Sequence, residues 1–170
     1  VIVVPYTRLL DETRKAVPEA RFVEIEAEQG YRELLAELWR EGEEFTLVEH
    51  DVIPTRAQLA ELGACPEPWC HYGYFPGHWI PVFGCCRFSA ELIAGTAGAW
   101  DDPSWHWGQL DARFAQHARA RGWTPHWHSP HVRHDAEFNF AGRSARVEIP
   151  DRLLLDLAER ERAAVLASLA

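Results

Sequence analysis

Two carboxylates set two residues apart, Glu49 and Asp51, close the segment Glu44-Phe-Thr-Leu-Val-Glu-His-Asp51 just after an apolar, β-prone run. In an extended chain alternate side chains share a face, so Phe45, Leu47, Glu49 and Asp51 are expected to point the same way. Paired carboxylates at this spacing suit a hard divalent cation, Mg²⁺ or Mn²⁺, which takes oxygen ligands and bridges to phosphate. A solvated turn ahead of a helix N-cap has the same pattern, and spacing alone does not separate the two.

Other residues with chemical potential are spread along the chain. Arg8 follows the first apolar run, where an arginine is placed to meet an anion or simply to face solvent. Asp111 falls in the first turn of an expected helix, where the dipole favours an acid whatever its role. Asp101 and Asp102 precede it within a Trp-rich stretch that includes Trp100, Trp105 and Trp107. These rings, with Tyr72 and Tyr74, are of the type that stacks on sugar faces or fills a core. His126, His128, His131 and His134 cluster near the end, as metal ligands or as hydrogen-bonded structural residues. Cys65-x₄-Cys70-His71 matches no standard zinc knuckle, and half-buried thiols are the default reading there.

The elements that must position these groups follow from periodicity. Val1–Val4 reads as a strand, with Pro5-Tyr-Thr-Arg8 as the loop after it and a helix from Leu9 to Val17. Arg21–Glu26 alternates like a second strand. Tyr31, Leu34, Leu35, Leu38 and Trp39 fall at helical spacing, and Gly42 closes that helix before the Phe45 strand. Strands alternating with helices imply a parallel sheet with right-handed crossovers. In such sheets ligands bind beyond the carboxyl ends of the strands, where Glu49, His50 and Asp51 would emerge. Pro54 stops the strand, and Thr55 with Gln58 makes a capping box.

Regular crossovers end near Leu62. Trp69–Phe75 and Trp79–Phe83 are expected strands around a loop, and Ser89 is the expected N-cap of a short helix from Ala90 to about Gly95. A further helix carries Leu110, Phe114, His117 and Ala118, and a last strand lies around Thr124–Asp135. Phe138–Val147 reads as loop. Asp151 caps a final amphipathic helix that packs on the domain or on a partner subunit, which permits a homodimer.

The whole chain bounds these readings. Its 170 residues fit one domain, with 47% hydrophobic and 25% charged residues. No apolar run is long enough to span a bilayer. A net charge of −9 argues against nucleic acid, whose phosphates select basic surfaces. Four Cys in a chain this long do not form a secreted disulfide framework, so a reduced, cytoplasmic setting is expected. The chain starts at Val1 and contains no Met, as after removal of an initiator or in a fragment, and no signal-peptide pattern precedes the first strand.

Five separated pieces resemble one family, the GT-A glycosyltransferases, in their galactosyltransferase-like branch. Pro5-Tyr-Thr-Arg8 is similar to the family's nucleotide loop, and Val48-Glu-His-Asp-Val-Ile-Pro54 to its strand ending in D-x-D. Phe83-Gly-Cys-Cys-Arg-Phe-Ser89 resembles the F-G-G segment, Trp107-Gly-Gln-Leu-Asp111 the W-G-G-E-D segment, and Val132-Arg-His134 the x-R-H segment. Glu49 replaces the first Asp of D-x-D, and Leu110 stands where the family has the Glu of its E-D pair. Residues 1–150 would form the transferase domain, and 151–170 the added helix.

The resemblance implies a GT-A-like three-layer α/β sandwich with a mostly parallel sheet. It implies transfer of a sugar from a nucleotide-diphosphate donor, UDP-sugar favoured, to a hydroxyl acceptor with inversion. Asp51 and His134 would ligate Mn²⁺ or Mg²⁺ with Glu49 beside them, and Pro5, Tyr6, Arg8 and His50 would help hold the donor. Asp111 would be the general base, with Asp102 in reserve. Trp105, Trp107, Gly84 and Tyr74 would contact sugar or acceptor. Two alternatives stand beside this: an inactive nucleotide-sugar or carbohydrate-binding protein on the same fold, and an interaction module held by zinc through Cys65, Cys70, His71 and His78.

Overall fold

The computed structural model describes residues 1–27, 29–74, 83–105 and 107–135. Within them the protein is a mixed α/β structure around a six-stranded sheet of order β2-β1-β3-β6-β5-β7. The strands are β1 (Ile2–Tyr6), β2 (Arg21–Glu24), β3 (Phe45–Val48), β5 (Trp69–Tyr72), β6 (Cys85–Phe88) and β7 (His126–His128). Strand β1 pairs parallel with β2 and β3, and β5 pairs parallel with β7, while β6 runs antiparallel to both β3 and β5. Thus β6 alone opposes the common direction. Two short strands, β4 (Val52–Ile53) and β8 (Arg133–His134), form a separate antiparallel ribbon.

Alternation along the strands splits the core in two. Val3, Leu47, Trp69, Cys86 and Phe88 face one cluster, while Val4, Val48, Cys70, Tyr72 and Cys85 face the other. The first is covered by helices α2 (Gly30–Glu41), α4 (Ala90–Gly95) and α5 (Leu110–Arg119). The second lies under α3 (Arg56–Ala64) and the surroundings of α1 (Asp11–Ala16). Helices therefore flank both faces. Aromatic rings dominate the first cluster: Trp39 meets Phe45, Phe88, Trp100 and Phe114 edge-on at centroid distances of 5.1–5.6 Å, a geometry the ring quadrupole favours.

Local sequence explains the boundaries. Gly42 ends α2 at a φ of 74°, in the left-handed region that a C-cap glycine takes without penalty. Thr55 caps α3 with the reciprocal Gln58 contact of a full capping box, and the Ser89 side chain accepts from Leu92 N at the start of α4.

Some expected boundaries move. Strand β1 runs on through Pro5 and Tyr6, which pair with Val23 and Glu24 of β2. The ladder to β3 ends at Val3, so Pro5 has no second neighbour needing its missing N–H. The Cys85–Phe88 stretch, expected only as a lead into a helix, is the antiparallel strand, buried at every position. Its lack of polar alternation hid it. The expected last strand is two pieces, β7 and β8, which serve different sheets. The Trp79–Phe83 strand lies outside the described residues except for Phe83, and the Phe138–Val147 loop and the final helix lie wholly outside them. No helix among the described residues is long and apolar enough to cross a membrane.

Candidate functional site: a carboxylate and histidine crevice

Beyond Val48 the chain leaves the sheet in a tight turn, with Val52 N donating to Glu49 O at 3.1 Å. Glu49 and Asp51 are therefore brought together by a turn and not by strand alternation, which stops at Val48. The turn is held on both sides: Glu49 N donates to Gly84 O (2.9 Å), and Leu10 N to His50 O (3.3 Å). His50 itself is buried.

The β4–β8 ribbon supplies the third group. Val52 sits opposite His134, and Asp135 N donates to Asp51 O at 2.9 Å, so the ribbon's register delivers His134 to the turn. His134 Nε2 lies 3.3 Å from Asp51 Oδ2. Two further contacts anchor the segment that arrives there: Val132 N donates to Gly73 O (2.9 Å), and Gln58 Nε2 to His131 O (3.2 Å). Burial acts to lower the His134 pKa, but the Asp51 hydrogen bond and charge outweigh it and raise it. The other Asp51 oxygen, Oδ1, is buried without a hydrogen-bond partner among the described residues. A buried carboxylate oxygen left unsatisfied requires a reason.

Glu49 is half-buried and accepts from two phenols, Tyr74 at 2.6 Å and Tyr31 at 3.2 Å. Burial, then the Asp51 charge, push its pKa up to about 7, against the opposing pull of those hydrogen bonds. Burial and the Glu49 charge in turn hold both tyrosines well above the usual phenol range, so they remain donors. Tyr74 does double duty, for its ring also stacks on His134 at 4.3 Å and 18°. Gly84 makes room for it: a Cβ there would lie 2.1 Å from the Tyr74 ring.

Asp111 enters from α5, behind a single 3-10 turn (Trp107–Gln109) and the fully buried Leu110. Burial raises its pKa and outweighs the two backbone N–H groups, its own and that of Ala112, that pull the other way. The helix terminus alone would have kept this acid weakly basic, and burial reverses that. Its charge is felt at Glu49 and Tyr31.

The remaining expected residues fall as follows. Pro5 is buried in β1, Tyr6 is half-buried at its carboxyl end, and Arg8 is exposed just beyond. Trp105 packs on Trp100 at 5.8 Å and donates from Nε1 to Asp102. Asp102 is exposed and also accepts from Ser104 N and Oγ, contacts that hold its carboxyl below the usual range. That ties it to its own turn. Trp107 lies in the 3-10 turn, its side chain outside the described residues. Tyr31 is the Glu49 partner that sequence reasoning missed. Helical spacing marked it as a core position, and nothing in the sequence signalled that its hydroxyl reaches Glu49.

Away from the crevice, His78 lies outside the described residues. Among the described ones, the group whose donor atoms converge is not Cys65, Cys70 and His71 but Cys65, His126 and His128. Comparison of the chain with family models, with curated proteins and with solved structures finds no match.

Proposed function

We propose that this protein is a metal-dependent glycosyltransferase of GT-A type, moving a sugar from a nucleotide-diphosphate donor to a hydroxyl acceptor. The observation that carries the reading is the meeting of Asp51 and His134, the former with a buried carboxylate oxygen that has no partner among the described residues, beyond the carboxyl end of β3. The strand order supports it as well. The order turns back between β1 and β3, and a crevice outside the carboxyl ends at such a point is where open α/β sheets bind ligands. Tyr6 and Arg8 leave one of these strands, and Glu49 and Asp51 the other.

The donor set fits a small hard cation. Its two members stand 3.3 Å apart, close to the edge of about 3 Å that an octahedron with arms of about 2.1 Å requires. Asp51 and His134 would hold the ion, with Glu49 braced beside them by Tyr31 and Tyr74. A bound Mn²⁺ or Mg²⁺ supplies charge neutralisation for the leaving diphosphate. Arg8 adds a positive group on the β1 side for the donor phosphates. Asp111, made more basic by burial, accepts the proton of the acceptor hydroxyl as that oxygen attacks the anomeric carbon, and a single displacement inverts the centre. Trp105, supported on Trp100, offers a face for a sugar ring.

One observation favours a second reading, a nucleotide-sugar binding protein without turnover: Leu110 is fully buried core, which leaves Asp111 as the single acid of its segment. Sugar transfer from a UDP-sugar panel to simple alcohols and saccharides separates the two. The transferase reading predicts turnover that falls about 10²–10⁴-fold in Asp111→Asn while donor binding is kept. Donor binding with no turnover in the wild type would select the second reading.

A further inference from the structure

A second constellation, sharing no residue with the crevice, lies where α3 meets the edge strand β7. Two periodicities converge there. Glu61 and Cys65 are four apart at the end of α3, on one helical face, and His126 and His128 are two apart on β7, on one strand face. One donor atom from each of Cys65, His126 and His128 lies within 4.8 Å of the others. The Cys65 backbone is pinned, since its carbonyl accepts from the buried Arg87 (3.0 Å), which also binds Glu67 O.

His128 carries the decisive geometry. Its side chain is only 6% exposed, and its Nδ1 is 2.7 Å from Glu61 Oε1. Glu61 is itself fixed through Oε2, which accepts from Tyr72 O–H at 2.5 Å. The other ring nitrogen, Nε2, is buried with no hydrogen-bond partner among the described residues. A carboxylate on one imidazole nitrogen sets the tautomer and aims the other nitrogen as a lone-pair donor, the arrangement that supports histidine ligands to metals.

We propose that Cys65 Sγ, His126 and His128 Nε2 bind Zn²⁺, with Glu61 orienting His128. A thiolate with two imidazoles is a donor set of zinc type, unlike the carboxylate and single imidazole of Asp51 and His134. Tetrahedral arms of about 2.0–2.3 Å bring such donors to about 3.5 Å from one another, so closure needs side-chain rotations of about 1 Å. Binding releases the Cys65 thiol proton to solvent and leaves both histidines neutral, and the fourth position is open to water. The ion clasps β7 to the end of α3. That clasp is useful because β7 is three residues long and, among the described residues, pairs in the sheet only with β5.

The test is metal analysis and cobalt substitution of the intact chain. Protein stripped with chelator, reloaded with Zn²⁺ and dialysed is expected to retain stoichiometric zinc and to melt at higher temperature than the stripped form. Co²⁺ in place of zinc should give tetrahedral d–d bands with a thiolate-to-cobalt charge-transfer band. Cys65→Ser should abolish the charge-transfer band, and Glu61→Gln should weaken binding about 10–100-fold. His126 is exposed, so His126→Ala keeps the fold testable and should also lose tight binding. Asp51→Ala should leave the thiolate-to-cobalt charge-transfer band unchanged. Absence of retained zinc and of the charge-transfer band, or a band that persists in Cys65→Ser, overturns the proposal.

Discussion

Glu49 shows how one residue's surroundings decide its chemistry. Its neighbours are two tyrosines and an aspartate, and burial beside that charge lifts its pKa from 4.5 to about 7. A carboxyl raised in the folded state holds a proton that the unfolded chain releases, so the unfolding free energy falls as pH rises between those values and levels off above them. His134, also raised, acts with the same sign: its contribution is lost as pH rises through its folded pKa. In metal-free protein, Glu49→Gln is therefore expected to remove up to about 3 kcal/mol of this slope. Denaturant unfolding at pH 5 and pH 8 measures it, and an unchanged slope would mean that Glu49 is ionised across the range. Gly84 makes a complementary case. Adding one methyl against the Tyr74 ring is expected to cost about 1–3 kcal/mol, and because Tyr74 braces both Glu49 and His134, Gly84→Ala should weaken metal binding in the same sample. Thermal denaturation and calorimetry on one preparation would expose a purely structural effect as a loss of stability with metal affinity intact.

At the scale of elements, the β4–β8 ribbon joins the crevice, and the start of α3 steadies it. Thr55 and Gln58 cap the helix together, but Gln58 also donates to the His131 carbonyl three residues before His134. Thr55→Ala should thus cost about 1 kcal/mol and leave metal affinity alone. Gln58→Ala should cost more and loosen metal binding as well. Equal effects from the two on metal affinity would show that the tether to His131 does not matter. The capping box, α2 with its Gly42 stop, the Ser89 cap and the Phe45 strand were all legible in the sequence, because each rests on contacts within a few residues. Strand β6 was not. It is buried at all four positions, so it lacks the polar alternation that marks a half-buried strand. The ribbon was missed for a different reason: two-residue strands carry no period, and only the fold brings Val52 opposite His134.

For the molecule as a whole, the sheet is the frame that makes distant residues neighbours. Among the described residues five strands run one way and β6 the other, with helices over both faces, and Tyr31, Tyr74 and His134 all meet the turn that follows Val48. The resemblance of Val48–Pro54 and Val132–His134 to glycosyltransferase segments singled out Asp51 and His134, and the fold brings the two side chains within 3.3 Å. Sequence could not supply the brace of Tyr31 and Tyr74, nor the convergence of Cys65 with His126 and His128 in place of Cys70 and His71. Those depend on which faces of which elements the sheet order turns toward each other. The net charge of −9 would give a metal held by Asp51 and His134, as proposed above, a further task. An acidic molecule repels a diphosphate at long range, so donor binding should depend on the cation. Calorimetric titration of UDP, GDP and other nucleoside diphosphates, with and without Mn²⁺, into the wild type and Asp51→Ala tests this most directly. At least one diphosphate is expected to bind only with Mn²⁺ and to lose binding in Asp51→Ala, whereas no binding by the wild type in either condition, or binding untouched by removal of Asp51, would rule out a donor site held by a metal at Asp51.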